Sequence, residues 1–292
     1  MCIIYEQTDD GLFKIDKSTG ESTPVSIIER QKGDKYFSPR QVEQYRRKKE
    51  LKQEYEQKKR MQKAQRSELG SFYFVDRNHS FSTISEASLT KLMFLLTFLQ
   101  INSNKLMLTQ RKQMQFNDLY DVLQIKKSSL YDFWNEVHPQ YIQNTDEGLC
   151  VTTQAIRCGS LHGQISMQKF YKKGIQKLYK ACPASQHRHL SYVLRLLPYI
   201  NIEYNIICHN PDEKDCNEIK PLTLQEFCDM IGYSYSHICR LKAAFKAIRF
   251  PVKSHTERFI SIVNDESMYV NPHITYNGHD YKRVEILGAF CK

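Results

Sequence analysis

A helix-turn-helix pattern between Thr223 and Pro251 narrows the folds open to this chain more than any other feature. Thr223 stands at an N-cap position with Glu226 three residues on. In that spacing each side chain satisfies a backbone donor of the other. Leu224, Phe227, Cys228 and Ile231 follow at the helical period. Gly232 ends the helix, because glycine takes the left-handed cap without steric cost. After a turn through Tyr233 and Ser234, a second helix places Ile238, Leu241, Ala244, Phe245 and Ile248 inward. It leaves Ser236, His237, Arg240, Lys242, Lys246 and Arg249 outward, and Pro251 is expected to stop it. Two β-rich runs, 259–263 and 268–271, flank Asn264-Asp265-Glu266-Ser267, a hairpin pattern. On paper this is a winged helix, whose second helix enters the major groove of DNA.

Charge points the same way. The chain carries a formal +10, and residues 40–66 hold eleven Lys/Arg against four Glu, a local +7. The remainder is close to neutral. Residues 39–66 contain no glycine and no proline after Pro39, which suits a first helical position with Ser38 as its cap. A continuous helix of roughly 40 Å is expected. Glu43–Arg47, Glu54–Lys58 and Glu56–Arg60 are stabilising i,i+4 pairs. Val42, Tyr45, Leu51, Tyr55 and Met61 are too sparse for a heptad seam. The helix is either a solvated charged arm or weak coiled coil, or a basic arm along phosphates, with Arg46, Arg47, Lys48 and Lys49 at its centre.

Upstream, residues 69–159 read as a second winged helix. Thr83 and Glu86 are expected to form a capping box, opening a helix that buries Leu89, Leu92, Met93, Leu96 and Leu99. Phe116, Leu119, Tyr120 and Leu123 mark a short helix, 124–126 a turn and 127–137 a recognition helix. Lys126, Lys127, Ser128, Ser129 and Tyr131 open it with side chains that reach phosphates or base edges. Residues 141–143 and 149–151, joined through Asp146-Glu147-Gly148, form its acidic-tipped wing. Residues 160–186 are a basic, aromatic linker, and a helix over 187–202, bent at Pro198, opens the downstream unit. Residues 1–37 read as a small β-meander with strands near 3–5, 12–15 and 25–28. The expected fold is therefore mainly α (α+β): tandem winged helix-turn-helix units, a small N-terminal β-meander and a long basic helix. Its divisions are 1–37, 38–68, 69–159, 160–186 and 187–292.

A family resemblance joins these features. Leu12-Phe13-Lys14-Ile15-Asp16 with Thr19-Gly20-Glu21, and Met268-Tyr269-Val270-Asn271-Pro272 followed by Gly278 and residues 284–290, resemble RepL-type replication proteins of Firmicute plasmids. With the downstream helix-turn-helix included, the likeness covers about a third of the chain. This chain is longer, with an extra basic helix and an extra winged unit. It is thus similar to tandem winged-helix plasmid and phage initiators or regulators in general. The resemblance implies sequence-specific binding to an origin or operator.

Catalytic patterns are weak. His187-Arg188-His189 is the one His-x-His, but arginine separates the histidines, and a surface or capping role fits better than a nicking metal pair. No P-loop motif occurs. Cys208, His209, Asp215 and Cys216 have no usual zinc spacing. Nine cysteines without a paired framework, no signal peptide and no apolar run of ~18 residues predict a reduced, cytoplasmic protein off the membrane. The expected activity is non-enzymatic binding of double-stranded DNA, without cofactor or metal. Tyr235, Ser236, His237, Arg240, Lys242 and Lys246 would act in one helix and Lys126 to Tyr131 in the other. Self-association through the long helix is a second expected contact. The alternatives are a transcriptional regulator with the same interface and a partner-docking protein with a coiled-coil arm.

Overall fold

The computed structural model describes residues 3–24, 35–37, 39–160, 166–264, 266–288 and 290. Contacts divide the chain into Met1–Lys63 and Ala64–Lys292.

In the first unit, β1 (Ile3–Thr8) and β2 (Gly11–Asp16) form an antiparallel hairpin closed by Asp9 and Asp10. Asp16 then receives both the amide (2.8 Å) and the hydroxyl (2.6 Å) of Ser18, which turns the chain into β3 (Ser22–Pro24). β4 (Lys35–Phe37) adds to the free edge of β1 in parallel, giving the order β3-β2-β1-β4. The third strand thus lies at 22–24, and the one expected at 25–28 falls outside the described residues. Helix α1 (Pro39–Leu69) runs unbroken for 31 residues, while Ser38, its expected cap, also lies outside the described residues. Its basic stretch over 43–63 is exposed, whereas Gln65 and Leu69 in its last turns are buried. Gln65 donates to the Tyr171 hydroxyl at 2.9 Å.

The second unit takes in the last turns of α1 from Ala64, with Gln65 and Leu69, and continues with β5 (Phe72–Asp76) and α2 (Glu86–Leu95). The N-cap of α2 is Ser85, not Thr83. Its hydroxyl accepts from Ser88 N, and its own amide and hydroxyl are held by Glu136 at 2.7 and 2.9 Å. A distant carboxylate thus took over the role expected of Glu86. Next come α3 (Asp118–Leu123), α4 (Lys127–Val137) and the hairpin of β6 (Ile142–Thr145) and β7 (Gly148–Val151). Gln124, left-handed at φ 54, makes the turn between α3 and α4. β8 (Ile156–Arg157) and β9 (Met167–Tyr171) flank β5 in a three-stranded antiparallel sheet.

Helix α5 (Lys172–Ala181) follows, with Ile175, Leu178 and Tyr179 buried. Tyr179 stacks on Phe94 with ring centroids 4.1 Å apart, so this segment is part of the core rather than a solvated connector. The expected continuous helix over 187–202 is broken. A 3-10 stretch, Ala184–Ser191, leads into α6 (Tyr192–Arg195) and a second 3-10 turn, Leu197–Tyr199. Leu196 leaves helical geometry just before Pro198, which has no amide to donate.

α7 (Leu224–Ile231) has the reciprocal Thr223–Glu226 capping box, and Gly232 closes it at φ +67. α8 (Ile238–Ala247) ends well before Pro251. Instead, β10 (Arg249–Val252) pairs with β11 (His255–Arg258), and β12 (Ile260–Val263) pairs with β13 (Ser267–Val270). Arg249 is therefore a strand residue and not part of the helix face. α9 (Tyr281–Gly288) is the last helix described.

Strand content corrects the expected class. Among the described residues, 44% are helical and 23% are in strands, distributed over several small antiparallel sheets. The chain is mixed, and the mainly α, tandem winged-helix class is set aside. Residues 167–171, expected as linker, and Arg249 and Phe250, expected at the end of the helix before Pro251, take up backbone pairing that helical periodicity does not record.

One backbone arrangement occurs twice. Leu106 donates its amide to Leu149 O (3.0 Å) and accepts from Met114 N (2.8 Å), while Ile207 donates to Met268 O (2.9 Å) and accepts from Leu222 N (3.0 Å). Each residue is fully buried and bridges a partner seven positions earlier, Leu99 and Ile200 respectively. One apolar cluster, from Tyr73 to Ile274, runs through both arrangements, and a second gathers Tyr171, Ile206, Tyr269 and Tyr276 among others.

Two glycines separate steric from conformational demands. A Cβ on Gly174 would lie 1.9 Å from the His273 carbonyl oxygen, whereas one on Gly232 would meet open space but keep the strained φ. Gly174→Ala is expected to lower unfolding free energy by at least ~2 kcal/mol. Gly232→Ala should cost ~1–2 kcal/mol. Urea denaturation of both variants checks the order, and a milder loss for Gly174→Ala would contradict the close packing of α5 on residue 273.

Candidate nucleic-acid interface

α8 is seated by a narrow apolar stripe. Leu241 and Phe245 are each 1% exposed. The Phe245 ring stands edge-on to Phe227 at 6.0 Å and to Tyr192 at 6.4 Å. Burying this i,i+4 stripe leaves Arg240 and Lys246 exposed and Lys242 half-buried along the flank. Lys246 occupies the last turn, where the helix dipole favours a cation. Ahead of α8, Tyr235, Ser236 and His237 form an exposed 3-10 turn, with the Ser234 and Ser236 hydroxyls 2.7 Å apart.

Between α8 and the β12–β13 hairpin lies an open groove of about 440 Å³. Lys242, Lys246, Arg258 and Asn264 supply its polar lining, and Phe245, Ile260 and Ile262 its apolar part. Arg258 is the unusual member. Its Nε is buried and has no hydrogen-bond partner among the described residues. Burial and the neighbouring Arg249 guanidinium pull it below the ordinary arginine value. A buried donor left unpaired costs free energy, and three cationic side chains around one groove favour an anion.

The other expected residues fall into two separate groups. Lys126 is extended at the N-cap of α4 and makes no side-chain capping bond. Lys126, Lys127, Ser128 and Tyr131 are exposed there, and Ser129 is half-buried. Leu130, Phe133 and Val137 fix the opposite face in the core. At the tip of the adjoining β6–β7 hairpin, Glu147 is ion-paired with Lys105, which offsets part of the acidity expected there. Arg46, Arg47, Lys48 and Lys49 lie exposed on α1 within the first unit. Being consecutive, at 100° per residue, they encircle the helix rather than form one face.

Arg258 escaped the sequence reading. It directly precedes the run at 259–263 taken as a strand, and the stop assigned to Pro251 concealed the β10–β11 pair. Alternation through His255, Thr256, Glu257 and Arg258 is the pattern that could have placed it on an exposed strand face.

The histidines of His187-Arg188-His189 both serve packing. A His187 ring nitrogen bonds the carbonyls of Tyr179 (3.1 Å) and Cys182 (2.9 Å) at the end of α5. His189 is buried against Tyr192 and Phe245. Cys208 is also buried, which pushes its thiol up to about 11, while His209 pairs with Glu226 at 3.2 Å. Among the described residues no helix is long and apolar enough to cross a membrane. No family model, curated protein or solved structure matches the chain.

Burial holds His187 and His189 below the ordinary histidine value of 6.5. The unfolded chain therefore takes up protons near that value while the folded chain does not, so acidification favours unfolding. Stability is expected to be complete above pH 6.5 and to fall as pH drops through the lowered folded values. Urea midpoints measured across this range should decline, and less so in His189→Phe. A pH-independent midpoint would contradict the burial of these rings.

Proposed function

We propose that this protein is a non-enzymatic, sequence-specific double-stranded DNA-binding factor of the replication-initiator kind. The observation that carries the reading is the open groove beside α8, whose polar lining includes Lys246 and Arg258. A phosphate oxygen is the acceptor such a groove favours. Arg240, with Ser236 and His237 just ahead of it, offers donors suited to base edges. Lys126 and Lys127 at the uncapped start of α4 suit phosphate contacts of the same kind. The basic stretch of α1 would add sequence-independent affinity through counterion release. The initiator role rests on the resemblance of the two chain ends to RepL-type proteins, and a transcriptional regulator would use the same contacts.

Leu51 and Tyr55, one helical turn apart on α1, are 58% and 65% exposed. They favour self-association through that helix as a second contact, which sedimentation of the full chain would detect as a concentration-dependent mass.

Selection of random duplexes by the full chain at two salt concentrations tests the DNA reading. An enriched motif is expected, and Arg240→Ala should lose ~1–3 kcal/mol of discrimination at one position of it. Lys246→Ala and Arg258→Gln should weaken binding to all duplexes alike and reduce the salt slope by about 1 each. Duplex binding without salt dependence, or none at all, would overturn the proposal.

A further inference from the structure

Alternation along β11 sends successive side chains to opposite faces. Arg258 lines the groove, whereas Glu257 is buried at 3% exposure. There Glu257 meets His273, in the turn after β13, and Glu285, on α9. One ligand atom from each of the three lies within 4.8 Å of the others. His273 Nε2 is 3.2 Å from Glu285 Oε1, and His255 Nε2 is 2.8 Å from Glu257 Oε1. Asn271, fully buried, orients the group from behind. Its Nδ2 donates to Glu257 Oε2 (2.8 Å), and its Oδ1 accepts from the His273 amide (2.9 Å). Such outer contacts are how metal ligands are commonly held in place.

Among the described residues, neither carboxylate is paired with a lysine or arginine. A buried carboxylate needs a cation or a full set of donors, and among the described residues the side chains offered are Asn271 and the two imidazoles. We propose that Glu257, His273 and Glu285 bind a divalent transition-metal cation of the Zn²⁺ type. Mixed imidazole and carboxylate donors suit such ions better than Ca²⁺ or Mg²⁺. Ligands about 2.0–2.2 Å from a tetrahedral Zn²⁺ stand about 3.3 Å from each other. The His273–Glu285 pair already has that spacing. The widest pair has to close by at most about 1.5 Å to reach it. A bound ion would tie α9 and the turn after β13 to the strand that carries Arg258 into the groove. The site does not depend on the DNA-binding reading.

Chelator-treated protein titrated with Co²⁺, followed by displacement with Zn²⁺, tests the site. One ion per chain is expected, with a visible spectrum of nitrogen and oxygen ligation and a raised thermal unfolding midpoint. Glu285→Gln, on a partly exposed helix position, should weaken binding at least about tenfold. Glu257→Gln should do the same, and Glu285→Gln decides the matter if the buried substitution prevents folding. The site is overturned by no binding to the wild-type chain, by unchanged affinity in Glu285→Gln, or by a sulfur-to-cobalt charge-transfer band, which would assign the ion to cysteines.

Discussion

The second unit depends on two buried backbone residues, Leu106 and Ile207. Each joins three segments: the bend seven residues earlier, the segment leading into the next helix and the returning hairpin. Neither has water within reach to satisfy its amide and carbonyl, so each must find partners in the chain. This requirement sets where β7 and β13 lie, and through them the placement of α4 and α8 against the core. The side chains differ between the two halves, while the pairing of main-chain groups is repeated.

A second constraint is polar. Residues 271–277 cross the protein through a series of buried amides and hydroxyls. Asn205 donates to the carbonyls of Val270 (3.0 Å) and Thr275 (2.6 Å). Thr275 accepts from Gln168 (2.8 Å) and donates to Lys169 O (2.7 Å). Asn277 spans β9 through its own two bonds, from the Lys169 amide (2.9 Å) and to Met167 O (2.8 Å). Two of its acceptors, Gln168 Oε1 and Asn205 Oδ1, are buried without a hydrogen-bond partner among the described residues, so the network is not fully satisfied. Asn271 acts in this chain as a structural hub rather than at an exposed surface.

Electrostatics and packing meet at β11. One residue, Arg258, lines the groove beside α8, and its neighbour Glu257 brings a buried carboxylate to the cluster of His273 and the partly exposed Glu285. The groove's apolar part consists of the same residues that seat α8, so a large-to-small change at Phe245 would disturb both the core and the surface that α8 presents.

The sequence by itself determined what local chemistry can determine. Thr223 with Glu226 capped α7, Gly232 closed it, the glycine-free stretch made α1 a single helix, and residues 127–137 formed α4, because each rests on contacts within a few residues. It also placed Arg240 and Lys246 on the exposed side of α8, since the buried stripe of an amphipathic helix fixes the opposite face. Only the tertiary structure decided the mixed class, the breakup of 187–202, the replacement of Thr83 by Ser85 as cap, and the strands at 167–171 and 249–258. Two of those outcomes rest on partners far away in the chain: Glu136 for Ser85 and β5 for β9. Strand pairing and ligand clusters join residues whose separation in sequence carries no period, so their physical cause exists only once the chain has folded.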